Sequence, residues 1–149
     1  MVIHSKSSAD TDKLAKYLAE KILASGPRRS AIVVSLVGNL GAGKTHFTKA
    51  FMNALGITDK ILSPTFNIMK IYEVPESASK DFRSAYHIDA YRIKSEDLLK
   101  LGWDSIIKDN KNIVLIEWAD IVKDIMPGGS INIEIEHADK EGERRIKLN

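Results

Sequence analysis

The sequence predicts a three-layer α/β fold in which a central sheet, mainly parallel or mixed, carries helices on its faces and ends in a C-terminal β-hairpin. Three observations predict it. Residues 31–37 form a nearly continuous β-branched run, which suits a strand covered on both faces. A glycine-rich loop and an amphipathic helical pattern follow that run directly. Further strand-like and helical segments then alternate to the end of the chain. With 149 residues, no internal repeat, no low-complexity tract and no linker, one domain over 1–149 is expected.

The elements are justified in order. From Ser8 to Ser25, Leu14, Tyr17, Leu18 and Ile22 recur at helical spacing; Ser8 is the expected N-cap and Gly26-Pro27 the stop. After the strand at 31–37 and the glycine loop, Phe47, Ala50, Phe51, Ala54 and Leu55 mark one face of a helix that begins near Lys44. Gly56 is placed to end it in the left-handed conformation. Phe66 to Glu73 reads as a strand, and Val74 to Lys80, with Pro75 and two serines, as an exposed connection. Ser84 to Asp89 and Asn112 to Glu117 are two more strands, each ending in a carboxylate, with a short helix from Ser95 to Leu101 between them. Ser130 to His137 alternates, with Ile131, Ile133 and Ile135 on one side, and Gly142 turns the chain into a partner strand at Arg145 to Leu148.

Composition narrows the function. With no cysteine, disulfides, thiol catalysis and cysteine-bound zinc are excluded. The N-terminal residues have no long apolar core behind a basic start, and no stretch approaches a membrane span, so a soluble, cytoplasmic protein without membrane contact is expected. The 22 basic and 20 acidic residues nearly balance at +2, so RNA contact is expected to be local or made through partners.

The chemistry starts at the loop. Gly38, Asn39, Leu40, Gly41, Ala42, Gly43, Lys44 and Thr45 fit G-x-x-x-x-G-K-[ST]. In that pattern backbone N–H groups cradle phosphate, the lysine reaches the β/γ oxygens of ATP and the threonine hydroxyl binds magnesium. The preceding strand and following helix are the context it requires, because the helix N-terminus faces the anion. Lys44 itself is expected to face solvent. A P-loop ATPase also needs a carboxylate at a neighbouring strand end, and Asp89 and Glu117 are both candidates. Ser63 and Thr65 flank Pro64; they form either a plain turn or a loop that senses the γ-phosphate, and Thr65 is the favoured sensing hydroxyl. Arg92 is either a cis arginine finger or a structural partner of a carboxylate. His87 reads as a core residue or a support behind the site in preference to a catalytic group, and Trp118 as packing in preference to a cover for the nucleotide site or a partner surface.

Taken in order, the loop, Ser63-Pro64-Thr65-Phe66, His87-Ile88-Asp89-Ala90-Tyr91-Arg92 and Glu117-Trp118 closely resemble the TsaE (YjeE) family. These are bacterial P-loop ATPases required for making threonylcarbamoyladenosine at position 37 of tRNAs. The resemblance spans nearly the whole chain. It implies a P-loop NTPase-like fold, in which Leu40, Gly41, Ala42, Gly43, Lys44 and Thr45 contact the phosphates of ATP or ADP. It also implies that Thr45 and Glu117 hold Mg2+ and that Asp89 is the second acid of the site. The implied partners are TsaD and TsaB homologues, which perform the transfer, with tRNA reached indirectly through that complex. His46, Asn39 and Ala119 depart from the family pattern without removing a phosphate or metal group, and the resemblance implies adenine contacts made partly by the segment near Ser8 to Thr11. A small nucleotide or metabolite kinase is the first alternative, but the one clear loop insertion, Val74 to Lys80, has no arginine to serve as a lid. A nucleotide-dependent switch without useful turnover is the second.

Overall fold

The strands with the most continuous apolar character lie at the centre, where both faces are covered. In the computed structural model, which describes residues 1–26, 28–62 and 68–149, β2 (Ile32–Val37) and β5 (Asn112–Glu117) are buried almost throughout. They pair in parallel, and β4 (Ser84–Asp89) joins β5 on the far side, also in parallel. On the other flank β6 (Ile131–His137) runs parallel to β2, and β7 (Arg144–Leu148) returns antiparallel to β6 through the expected hairpin. A strand at each edge, β1 (Val2–Ser5) and β3 (Met69–Glu73), completes the seven-stranded mixed order β1-β7-β6-β2-β5-β4-β3.

Alternation sends successive residues to opposite faces. Ile32, Val34, Leu36, Ile113 and Leu115 pack under α1 (Ser8–Leu23) and α2 (Lys44–Ala54). Val33, Ile88, Val114 and Ile116 pack with Trp103, Leu98 and Val122, from α4 (Trp103–Lys108), α3 (Ser95–Lys100) and a 3-10 segment (Ala119–Ile125). These are the three expected layers. Because β2, β4, β5 and β6 are parallel, Val37, Asp89, Glu117 and His137 all end at one edge of the sheet.

Several local expectations are corrected. The N-cap of α1 is Ser7 rather than Ser8, and its side chain makes no capping bond; Asp10 Oδ2 accepts from the Lys6 N–H at 2.9 Å instead. Tyr17 is half exposed, because the buried stripe is Thr11, Leu14, Ala15, Leu18, Ala19 and Ile22 and leaves it at the margin. Strand β1 was not anticipated; four residues at an edge, alternately exposed, carry little pattern. Gly102, in the left-handed conformation, separates α3 from the unanticipated α4, whose Trp103 Nε1 donates to Ile125 O at 3.0 Å. Val74 is buried and its N–H donates to Arg83 O at 2.8 Å, so the exposed connection starts only after it. Of the strand expected at Phe66 to Glu73, Phe66 and Asn67 lie outside the described residues. Among the described residues no helix is long and apolar enough to cross a membrane.

Candidate functional site

The glycine loop leaves the end of β2 beside β6. A side chain at Gly38 would collide with the carbonyl oxygen of Ile135, so only glycine lets the loop start this close to the neighbouring strand. Gly41 (φ 75°) and Gly43 (φ 107°) are left-handed, and a Cβ on either would meet nothing within 4 Å. Backbone conformation demands glycine at both, and the space above them stays open. Gly43 caps α2 without a side chain, so the first-turn amides of that helix have no side-chain acceptor and can face an anion. Leu40 is 70% exposed on the crest of the loop. Ala42 alone turns inward: its side chain is buried, and its N–H donates to Asn39 O at 3.0 Å.

Lys44 does not face solvent. It is 5% exposed, with Nζ donating to the carbonyls of Gly38 and Asn39, the latter at 2.9 Å, and lying 3.9 Å from the Trp118 ring centroid. Burial lowers the Lys44 pKa from its ordinary value, opposed by the negative charges of Glu117, Asp120 and Asp89. Trp118 takes a left-handed conformation (φ 59°), which is strained for so bulky a residue. That turn follows Glu117 directly and leaves the ring over Lys44, where it also packs on Tyr91 with centroids 4.8 Å apart.

The two candidate carboxylates are register partners on β4 and β5, but their surroundings differ. Glu117 is 2% exposed; its Oε2 accepts from Nε2 of fully buried His87 at 2.5 Å, and its Oε1 accepts from the Thr45 hydroxyl at 3.4 Å. His87 is thus a buried support for Glu117, with its Nδ1 unpartnered among the described residues. Asp89 is half-buried, and its Oδ1 accepts from the Tyr91 N–H at 3.0 Å. Burial raises the Asp89 pKa, and the nearby Glu117 charge adds to the shift, while the Tyr91 N–H, His87 and Lys44 oppose it. Gly41, Gly43, Lys44, Thr45, Asp89 and Glu117 share one open cavity of about 300 Å³.

A hydroxyl and a carboxylate facing each other form an all-oxygen donor pair suited to a hard divalent cation. Among the described residues no group of three or more His, Asp or Glu side chains is arranged to hold a metal, so a cation here would draw its remaining ligands from water or a bound anion. Thr65 lies outside the described residues. Arg92 is exposed and forms no ion pair among the described residues; its guanidinium carbon is 5.8 Å from the Tyr91 ring centroid. Beyond the loop, Ser7, Ser8, Thr11, Gly43 and His46 line a second cavity of about 430 Å³, and His46 Nε2 lies 2.7 Å from Asp12 Oδ1.

Arg144, which the sequence reading passed over, closes the loop from behind. Its Nε donates to Ala42 O at 2.8 Å and its NH2 group to Gly41 O at 3.2 Å. A signal was present: Arg144 shares the parity of Ile146 and Leu148, both packed against the core, so a charge sits on the apolar side of β7.

Comparison with known proteins follows the same lines. The family model described as threonylcarbamoyl adenosine biosynthesis protein TsaE matches residues 5–146. The chain is 36% identical over 135 residues to the tRNA threonylcarbamoyladenosine biosynthesis protein TsaE of Rickettsia conorii (strain ATCC VR-613 / Malish 7), covering 89% of this chain and 69% of that one. It is 39% identical over 114 residues to the protein of the same name from Bacillus subtilis (strain 168), covering 76% and 66%. The crystal structure of Bacillus subtilis YdiB matches with a TM-score of 0.76 at 30% identity, covering 99% of this chain and 83% of that one.

Proposed function

This chain belongs to the TsaE family of threonylcarbamoyl adenosine biosynthesis proteins, and from that membership we propose that it is a magnesium-dependent ATPase of tRNA threonylcarbamoyladenosine biosynthesis. It works in the cytoplasm on a transferase of TsaD and TsaB homologues, meets tRNA only through that complex and does not itself transfer the threonylcarbamoyl group. One observation supports the reading above the others. The left-handed Gly41 and Gly43 open onto a cavity whose remaining walls include Lys44, Thr45, Glu117 and Asp89.

In this reading the loop amides and the first turn of α2 donate to the phosphate oxygens of ATP or ADP. Lys44 exchanges the carbonyls of Gly38 and Asn39 for the β/γ oxygens, regaining a full negative partner for a charge that burial disfavours. Thr45 and Glu117 hold Mg2+, which neutralises charge on the phosphate oxygens when bound. His87 fixes Oε2 of Glu117, so Oε1 stays turned toward Thr45. Asp89, with a raised proton affinity, orients the attacking water and accepts its proton. Thr65 supplies the hydroxyl that follows the γ-phosphate. No glutamine or arginine among the described residues is committed to the cavity, so hydrolysis is slow until a partner completes the site.

The test is phosphate release by the purified chain, alone and with the TsaD and TsaB homologues, with and without magnesium. Weak release alone, stimulation by the pair and loss without the metal are expected. No release in any combination, with no ATP binding by calorimetry, would overturn the reading.

A further inference from the structure

The glycine loop is built from residues that hold their own shape poorly. Gly41 and Gly43 flank Ala42, and glycine restricts its neighbouring peptide planes least of any residue. Something outside the loop must fix those planes if the amides are to present one face to an anion. The contact that does so comes from the other end of the chain, where Arg144 of β7 donates to Ala42 O and Gly41 O, two successive peptide carbonyls. Its remaining nitrogen donates to Glu143 O at 2.9 Å, and no carboxylate pairs with it among the described residues. The neighbouring Arg145 behaves oppositely, pairing outward with Glu136 at 2.6 Å.

In a planar trans peptide the C=O and the following N–H point in opposite directions. Holding the Ala42 carbonyl toward Arg144 therefore turns the Gly43 N–H away from it, toward the open cavity that Gly43 lines. The Gly41 carbonyl fixes the Ala42 N–H in the same way, and that group already donates to Asn39 O. From this we infer that Arg144 is a positioning residue for the phosphate site: its guanidinium fork locks two peptide planes of the glycine loop and aims the Gly43 amide at the bound phosphate. The role rests on the ATP-binding reading above. It requires the planar fork, since a lysine ammonium keeps the charge but is a point donor without the paired geometry.

The test compares wild type with Arg144→Ala, Arg144→Lys and, as a control on the same hairpin, Arg145→Ala. Calorimetry is run with ATP and with inorganic triphosphate, and amide hydrogen exchange is followed in the ligand-free proteins. Both Arg144 variants should bind ATP and triphosphate about tenfold or more weakly, the loss expected for charge-assisted hydrogen bonds, while Arg145→Ala binds as wild type does. Methylguanidinium should restore part of the affinity of Arg144→Ala. Exchange at Ala42, whose N–H donates to Asn39 O, should be about tenfold faster in Arg144→Lys than in wild type, a readout independent of nucleotide. Wild-type affinity in Arg144→Lys would show that charge alone suffices, and together with unchanged Ala42 exchange would overturn the inference. If Arg144→Ala does not fold, the lysine variant still decides. If wild type binds neither ligand, the ATPase reading fails, and the exchange measurement alone judges the clamp.

Discussion

At the centre of the sheet β2, β5 and β4 are buried on both faces and end in Val37, Glu117 and Asp89; at the flank β6, β7 and β1 alternate buried with exposed residues and end in a hairpin behind the glycine loop. Both regions meet that loop. The centre brings side chains to the cavity: Lys44, Thr45, Glu117 and Asp89 all stand on or directly after its strands and on α2. The flank brings geometry, through the Ile135 carbonyl that excludes a side chain at Gly38 and the Arg144 fork on Gly41 and Ala42. The difference teaches where damage should appear. Variants of the centre should lose ligand while keeping the fold, and variants of the flank should lose loop geometry and stability together.

The largest effect expected on the central side is that of Lys44→Ala. It should weaken ATP binding at least about a hundredfold, roughly 3 kcal/mol, the worth of a strong charge-assisted contact. Its ligand-free melting temperature should hardly move, because Gly38 and Asn39, whose carbonyls are freed, line another open cavity, of about 380 Å³, that water can enter. Calorimetry and thermal melts on one sample check both halves. A large loss of stability with ATP binding intact would break the division.

Gly38→Ala probes the flank. Its Cβ must displace the Ile135 carbonyl, a shift of packed backbone that should cost about 2 kcal/mol, typical of overpacking. A fall of several degrees in the melting temperature, present without nucleotide, is the expected result. An unchanged melt with reduced ATP affinity would move Gly38 to the ligand-binding group.

Glu117→Gln keeps the shape of the side chain and an acceptor for His87, but removes the charge facing Thr45. The magnesium concentration for half-maximal ATPase activity should rise about tenfold, close to 1.4 kcal/mol. ATP binding measured without the metal should change less. An unaltered magnesium requirement would shift the anchoring role to Asp89.

The same division explains what could be read from the sequence. Strands β4 and β5 were legible with their limits, because burial leaves a continuous apolar signal at 112–117 and a carboxylate marks the end of each of the two. The loop was legible because Gly41 and Gly43 sit where only glycine is comfortable. The flank was not. Arg144 acts on a carbonyl 102 residues earlier, and no local pattern encodes so distant a pairing. Burial of Lys44 escaped for a related reason: it depends on the turn at Trp118, a left-handed tryptophan that no propensity would place there. His87 gave a clearer hint. Lying between Ala85 and Asp89 on the alternating β4, it had to share their face, and there it meets Glu117.

The smallest effect separates the two carboxylates within the centre itself. Asp89 and Glu117 are register partners, but among the described residues Glu117 receives the His87 N–H while Asp89 has only the Tyr91 amide. Burial raises the Asp89 pKa and the charge of Glu117 raises it further, so the folded state binds this proton more tightly than the unfolded chain does. For an acid shifted this way the charged form is the destabilising one. The penalty is absent well below the unfolded value of about 4, grows as pH rises from there through the folded value and is complete only above the latter. Asp89→Asn removes it while keeping an oxygen for the Tyr91 N–H. The site is half open, and solvent screening reduces the gain to about 0.5 kcal/mol, which corresponds to about 1 or 2 °C in the ligand-free melting temperature. The increase should be present at pH 7 and vanish near pH 3. Glu117→Gln should move the melt the other way at pH 7, since it trades a charge-assisted bond from His87 for a neutral one. Measured together across pH, the pair tests whether the protein tolerates a strained carboxylate at Asp89 for its chemistry. Equal and opposite-signed outcomes reversed between the two residues would show that Glu117, not Asp89, holds the disfavoured charge.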